Sequence, residues 1–184
     1  LFPYTTLFRS IYPGEKFRGK SSNGRVGDWI EEVDWSTGRV LDTLRELKLA
    51  ENTLVIFTSD NGPWLNFGRH AGSAGPFREG KGTTFEGGVR VNAFAAGGYL
   101  PAAVRGTTQS GFIGIEDWYP TFCGLAGVDA TDAAAAAAGL PPVDGVDVWP
   151  LLSGANATSP RTEIPVSADV LLQFDPASGA AWKL

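Results

Sequence analysis

The chain has 184 residues, 43% of them hydrophobic and 19% charged, with a formal net charge of −5. That size and balance suit one globular domain with room for a core, and the acidic balance argues against a nucleic-acid partner, whose phosphates call for a basic face. No apolar run approaches the ~20 residues of a membrane span, and the single cysteine, Cys123, excludes an internal disulfide or a zinc–thiolate cluster.

Leu1 to Ser10, LFPYTTLFRS, reads as the translation of a sequencing-library adapter joined in frame, and is excluded from fold reasoning. On that reading the natural protein continues upstream of Ile11; the alternative is a native extended segment. Ile11 to Asn23, polar and carrying Pro13 and Gly14, reads as a loop. From Arg25 the apolar positions Val26, Ile30, Val33, Thr37, Val40, Leu44 and Leu47 recur at steps of three and four, predicting an amphipathic helix. Arg45 and Lys48 fall in its last turn, where cations suit the helix dipole. Thr53 to Thr58, TLVIFT, is a continuous β-branched and apolar run, the pattern of a strand covered on both faces in a parallel sheet.

Ser59 to Gly82 then forms a long glycine-rich loop, and loops of that length in compact domains are more often functional than idle. A helical turn is expected around Thr84 to Gly87 and a strand near Val89 to Ala95. Glu116 or Asp117 opens a helix through Leu125, with Pro120 in its first turn and Gly127 as its stop. Asp132 to Gly139, with six consecutive alanines, reads as a low-complexity surface insertion. DGVDVWPLLSG, from Asp144, predicts a turn and a short helix, and the chain stops at Trp182-Lys183-Leu184 as if within a strand. Helix, buried strand, loop, strand, helix is an α/β order.

Two places in this order carry chemistry. Asp60-Asn61 ends the apolar strand, where open α/β sheets bind ligands. A carboxylate beside an amide oxygen offers two hard ligands suited to calcium or magnesium. The Asn61-Gly62 pair also suits a two-residue hairpin turn. Lys81 lies in REGKGTT between glycines that let backbone approach a ligand, as a point charge for an anionic oxygen or as a solvated surface lysine. His70, the only histidine, shares the loop. Between Asn61 and Arg90 stand four cationic residues (Arg69, Arg78, Lys81, Arg90) against two acidic ones (Glu79, Glu86), a basic stretch in an acidic protein. Read from the residues alone, this is an anion-handling α/β enzyme.

LVIFTSDNGP from Leu54, REGKGTTFEGGVRV from Arg78, IEDWYPTFCGLAGV, and DGVDVWPLLSG followed by SPR at Arg161 resemble the sulfatase family, in particular arylsulfatases and N-acetylgalactosamine-type sulfatases. The resemblance covers most of Ile11 to Ser167. It implies an α/β, alkaline phosphatase-like fold in part, with a mixed sheet flanked by helices. Residues 11–167 would belong to a partial catalytic domain, and residues 168–184 would begin a truncated C-terminal subdomain. Asp60 and Asn61 would be metal ligands, for Ca2+ before Mg2+. Lys81 would be catalytic and sulfate-binding, His70 a substrate contact, and Glu86 and Arg90 structural. The implied chemistry is sulfate-ester hydrolysis by a formylglycine made from Cys or Ser in an x-Pro-x-Arg context. That motif is absent here, since Cys123 is followed by Gly124-Leu125, so nucleophile and half the metal site are expected upstream and the fragment alone is expected to be inactive.

The implied partner is a sulfated small molecule or glycan, and the implied location secreted, periplasmic or lysosomal. Asn156-Ala157-Thr158 is a glycosylation sequon for a eukaryotic secretory route. Phosphodiesterases and alkaline phosphatase-like hydrolases of the same superfamily carry Asp-His at the turn, because paired zinc ions favour imidazole; Asn61 favours one hard cation. An inactive sulfatase-like binding protein is the non-enzyme alternative.

Overall fold

The computed structural model describes residues 11–175 and 177–184; the adapter-like segment Leu1 to Ser10 lies outside them. The chain divides into two compact units, one ending at Tyr99 and the other running Leu100–Leu184.

The first unit is built on α1 (Gly24–Glu46). The loop before it is anchored by Asp28, buried in the first turns, whose carboxylate accepts the backbone N–H groups of Gly19 (2.7 Å), Lys20 (2.9 Å) and Ser21 (2.7 Å). The Ser21 and Gly19 bonds hold that carboxyl below the usual aspartate range, because they stabilise its charged form. Of the predicted apolar stripe, Val26, Val33, Thr37 and Leu44 are half-buried, joined by Trp29 and Leu41. Ile30, Val40 and Leu47 stay exposed. The helix was legible in its period, but coverage requires a partner element that a period does not reveal.

Helix α1 ends two residues before Lys48, which the charge pattern placed in its last turn. Lys48 lies past the helix in the left-handed region at φ 56. Its N–H donates to Arg45 O (3.0 Å) and that of Leu49 to Leu44 O (2.8 Å), the paired bonds of a Schellman stop.

Strand β1 (Val55–Thr58) pairs antiparallel with β2 (Ala93–Ala96), Thr58 facing Ala93. The expectation of a strand covered on both faces in a parallel sheet does not hold among the described residues. Phe57 sits opposite Phe94 with ring centroids 6.3 Å apart, and both rings are exposed. A continuous apolar run does not specify strand direction; here the chain returns beside itself through the loop of residues 59–92. Within that loop the short helix α2 covers Glu86–Val89, two residues beyond the expected turn, and so delays β2.

In the second unit a 3₁₀ turn at Ile115–Asp117 leads into α3 (Trp118–Ala126), stopped by Gly127 at φ 68. The alanine run forms α4 (Ala133–Ala137), which is exposed along most of its length and capped by the Asp132 carboxylate on Ala135 N–H (2.8 Å). Pro150 lies in the first turn of α5 (Trp149–Leu152). Strands β3 (Glu163–Ser167), β4 (Val170–Phe174) and β5 (Ala181–Lys183) form an antiparallel sheet in that order.

The centre of this unit combines the fully buried Val148 and Leu151 with an ion pair. Arg161 Nε donates to both carboxylate oxygens of Asp117, and its Nη2 makes a further short bond to the same group. Nη1 donates to Glu163 O and lies 3.2 Å from a Glu116 carboxylate oxygen, and Nη2 also donates to Asp144 O, while Asp117 accepts Gly114 N–H (2.7 Å) and Val146 N–H (2.9 Å). Bonding to Asp117 raises the Arg161 pKa above its ordinary value. Among the described residues no helix is long and apolar enough to cross a membrane.

Candidate metal and anion site

The first unit brings Asp60, Asn61 and Lys81 into one frame, and glycine makes the frame possible. Gly62 N–H donates to Gly88 O (2.9 Å), Lys81 N–H to Pro63 O (2.9 Å), and Gly87 N–H to Arg78 O (2.8 Å). These bonds require backbone to lie directly on backbone. A Cβ on Gly62 would run into the Gly87 carbonyl, and one on Gly80 into the Pro63 carbonyl and Leu65. The Gly87-Gly88 pair is equally constrained by the carbonyls of Glu79 and Thr83. The segment after β1 is thereby locked to the segment that carries Lys81, across a separation the sequence showed only as glycine richness.

The hairpin alternative for Asn61-Gly62 fails, because the strands on either side of it are joined by the whole of residues 59–92. Asp60 is exposed and Asn61 half-buried at the carboxyl end of β1. The Asn61 amide nitrogen donates to Gly62 O (2.9 Å), and its amide oxygen is a hard acceptor. Two adjacent hard oxygens fit calcium or magnesium as part of a shell, and calcium takes about six to eight. Among the described residues no group of three or more His, Cys, Asp or Glu is placed to hold a metal ion.

The basic stretch resolves into residues with different tasks. Arg78 stacks on Phe85 at 4.0 Å, and Arg90 lies over Phe77 at 4.8 Å and 3.8 Å from Glu86. Those two arginines brace the loop. Lys81 is exposed and lines a concavity of about 360 Å³ formed by residues 64–66 and 79–83. Beside it Glu79 is held at φ 63, a left-handed conformation that non-glycine residues adopt at a cost of about 1–3 kcal/mol where the surroundings impose it. His70 ends the 3₁₀ segment Leu65–His70, which kinks at Gly68; it is exposed and does not line this concavity.

Sequence reasoning gave Trp64, Asn66 and Thr83 no part and counted Glu79 only as a charge; these residues complete the concavity around Lys81. They occupy no periodic pattern, and their gathering depends on the Gly80–Pro63 approach. Asp117 and Arg161 were missed as a pair because their partnership spans the second unit.

Comparison with known proteins identifies the family of the chain. The family model described as Sulfatase matches residues 11–128. The chain is 40% identical over 150 residues to N-acetylgalactosamine-6-sulfatase of Sus scrofa, covering 80% of this chain and 27% of that protein. It is 38% identical over 163 residues to arylsulfatase A of Bos taurus, covering 87% of this chain and 30% of the relative. The chain thus spans less than a third of the length of either relative. Among solved structures, the PsFucS1 sulfatase from Pseudoalteromonas sp. superposes with a TM-score of 0.74 at 32% identity, over 94% of this chain and 37% of that one. The helices and sheets described above are therefore part of an alkaline phosphatase-like fold, and the chain belongs to the sulfatase family.

Proposed function

We propose that this chain supplies part of the metal site and the sulfate-binding lysine of an enzyme that hydrolyses sulfate esters. The observation that carries the reading is the frame in which Pro63 O accepts Lys81 N–H and Gly62 N–H bonds Gly88. It ties the segment that follows Asp60 and Asn61 to the segment that carries Lys81, which supports an oxygen-donor pair and a cation acting together on a sulfate ester.

Asp60 and the Asn61 amide oxygen would hold a calcium ion together with oxygens from outside this chain. When bound, that ion would act as a Lewis acid on the sulfate oxygens. The chain's own contribution is positional and electrostatic. Lys81 places a positive charge at the sulfate and at the oxygen that leaves with the alcohol, where negative charge builds as the S–O bond breaks. Arg78 and Arg90, engaged with aromatic rings, keep the loop in shape. His70, on the exposed end of its 3₁₀ segment, is a contact for the part of the substrate beyond the sulfate. Formylglycine as nucleophile belongs to sequence outside this chain, with residues 11–167 in the catalytic domain and 168–184 beginning the next. A secreted, periplasmic or lysosomal setting accompanies the reading.

The test is steady-state kinetics on a sulfate monoester with the full-length enzyme. Asp60→Ala is expected to remove calcium-dependent turnover. Lys81→Ala is expected to lower kcat and kcat/KM together by about 100- to 1,000-fold, the pattern of an interaction made in the transition state. A Lys81→Ala enzyme with raised KM and intact kcat would make the lysine a ground-state anchor and overturn its catalytic role.

A further inference from the structure

If Lys81 accounts for the sulfate end of an ester, something must hold the remainder, and Trp64 lines the same concavity. The residue is 47% exposed, although exposed aromatic surface has an unfavourable hydration cost. Two features fix it there. The ring stands edge-on to Phe67, with centroids 4.5 Å apart and planes at 80°, which restricts its orientation. Its backbone follows Pro63, whose carbonyl holds Lys81 N–H at 2.9 Å, and Gly80 packs against that carbonyl and Leu65. Trp64 and Lys81 are thus tied at their backbones.

The polar groups that share the wall select among ring-bearing esters. Asn66 brings an amide and Glu79 a carboxylate, while the Thr83 hydroxyl donates to Gly80 O (2.8 Å) and keeps its oxygen as an acceptor. We propose that Trp64 is a specificity-determining residue: its indole face takes the apolar face of a hexose ring whose sulfate lies at Lys81, with ring hydroxyls bonded to Asn66 and Glu79. An aryl sulfate would stack on the same indole but bring no hydroxyls. The Glu79 carboxylate would then lose water without replacement. The inference rests on the reading of Lys81 as the sulfate-binding cation and extends it to the alcohol portion of the substrate.

Chemical-shift titration of the full chain tests it, with a methyl hexoside monosulfate, phenyl sulfate and inorganic sulfate as probes. Trp64→Ala is expected to weaken hexoside sulfate about tenfold while holding inorganic sulfate within about twofold, and Trp64→Phe, which keeps a stacking face, to recover most of the loss. Lys81→Ala is expected to weaken both of those probes. The proposal is overturned if the unsubstituted chain binds no hexoside sulfate, if it prefers phenyl sulfate, or if Trp64→Ala leaves hexoside sulfate unchanged. Equal weakening of inorganic sulfate by Trp64→Ala, with no recovery by Trp64→Phe, would reduce the tryptophan to a structural part and also overturn it. Should Lys81→Ala change neither probe while Trp64→Ala still weakens the hexoside, the lysine reading fails and the ring contact stands.

Discussion

The two units solve the burial of polar backbone in opposite ways. In the unit ending at Tyr99 the buried residues among those described are Pro13, glycines and one carboxylate: Gly27, Asp28, Gly80, Gly87 and Gly88. In the unit from Leu100 they include Leu100, Val148, Leu151 and Leu152, with Asp117 and Arg161 at the centre. Where side chains are absent, carbonyl and amide groups lie against one another and satisfy each other directly, as Gly62 does with Gly88. Where side chains fill the interior, turns of backbone are collected by one charged pair, which bonds Gly114, Val146, Asp144 and Glu163. The first arrangement leaves Lys81 and Trp64 facing solvent on a braced loop, a surface suited to ligands.

The contrast is broken most severely in the second unit. Arg161→Ala leaves the Asp117 charge buried and unpaired, and a loss of about 3–5 kcal/mol is expected in chemical denaturation. An isolated buried pair often survives replacement of both partners by apolar residues. Here Asp117→Leu with Arg161→Met should not recover stability, because the N–H groups of Gly114 and Val146 would lose their acceptor. Recovery in the double variant would show that the pair contributes as an ion pair alone. In the first unit Gly62→Ala is expected to cost about 2–4 kcal/mol, since the Gly87 carbonyl has to move to admit a methyl group. That substitution should also weaken inorganic sulfate binding at Lys81, through the frame. A Gly62→Ala chain with unchanged stability and sulfate affinity would mean the loop is held by other contacts.

How much of this was legible follows the same contrast. Periodicity predicted α1, and turn chemistry placed the Gly127 stop of α3, because both are local. The position of Asp60-Asn61 at a strand end was also local, and held. The direction of β1 was not, since Val55–Thr58 reads the same whether its neighbour runs parallel or antiparallel. Lys81 could be singled out by its flanking glycines, but the concavity beside it arises from Gly80 meeting Pro63, a contact with no sequence period. Arg161 and Asp117 were hidden for the same reason. Each carries an ordinary surface charge in the sequence, and only the chain path makes them partners.

The smallest effect gives the cleanest comparison, because α1 and α3 end in the same motif with different residues. After α3, Gly127 at φ 68 donates to Gly124 O, and Val128 N–H to Cys123 O (2.9 Å). After α1, Lys48 at φ 56 and Leu49 make the equivalent bonds to Arg45 and Leu44. A left-handed conformation costs an L-residue with a side chain about 1–2 kcal/mol. Glycine escapes that cost but surrenders about 0.5–1 kcal/mol of unfolded-chain entropy. The difference predicts that Lys48→Gly stabilises by about 0.5–1 kcal/mol and that Gly127→Ala destabilises by a similar amount. Urea midpoints should move in opposite directions with unchanged slopes, since neither substitution alters the surface exposed on unfolding. Lys48→Asn should fall between the two lysine and glycine chains, because asparagine tolerates the left-handed region better than lysine. A Lys48→Gly midpoint that stays put would show that the lysine side chain recovers its backbone cost, through the negative end of the α1 dipole, which attracts a cation.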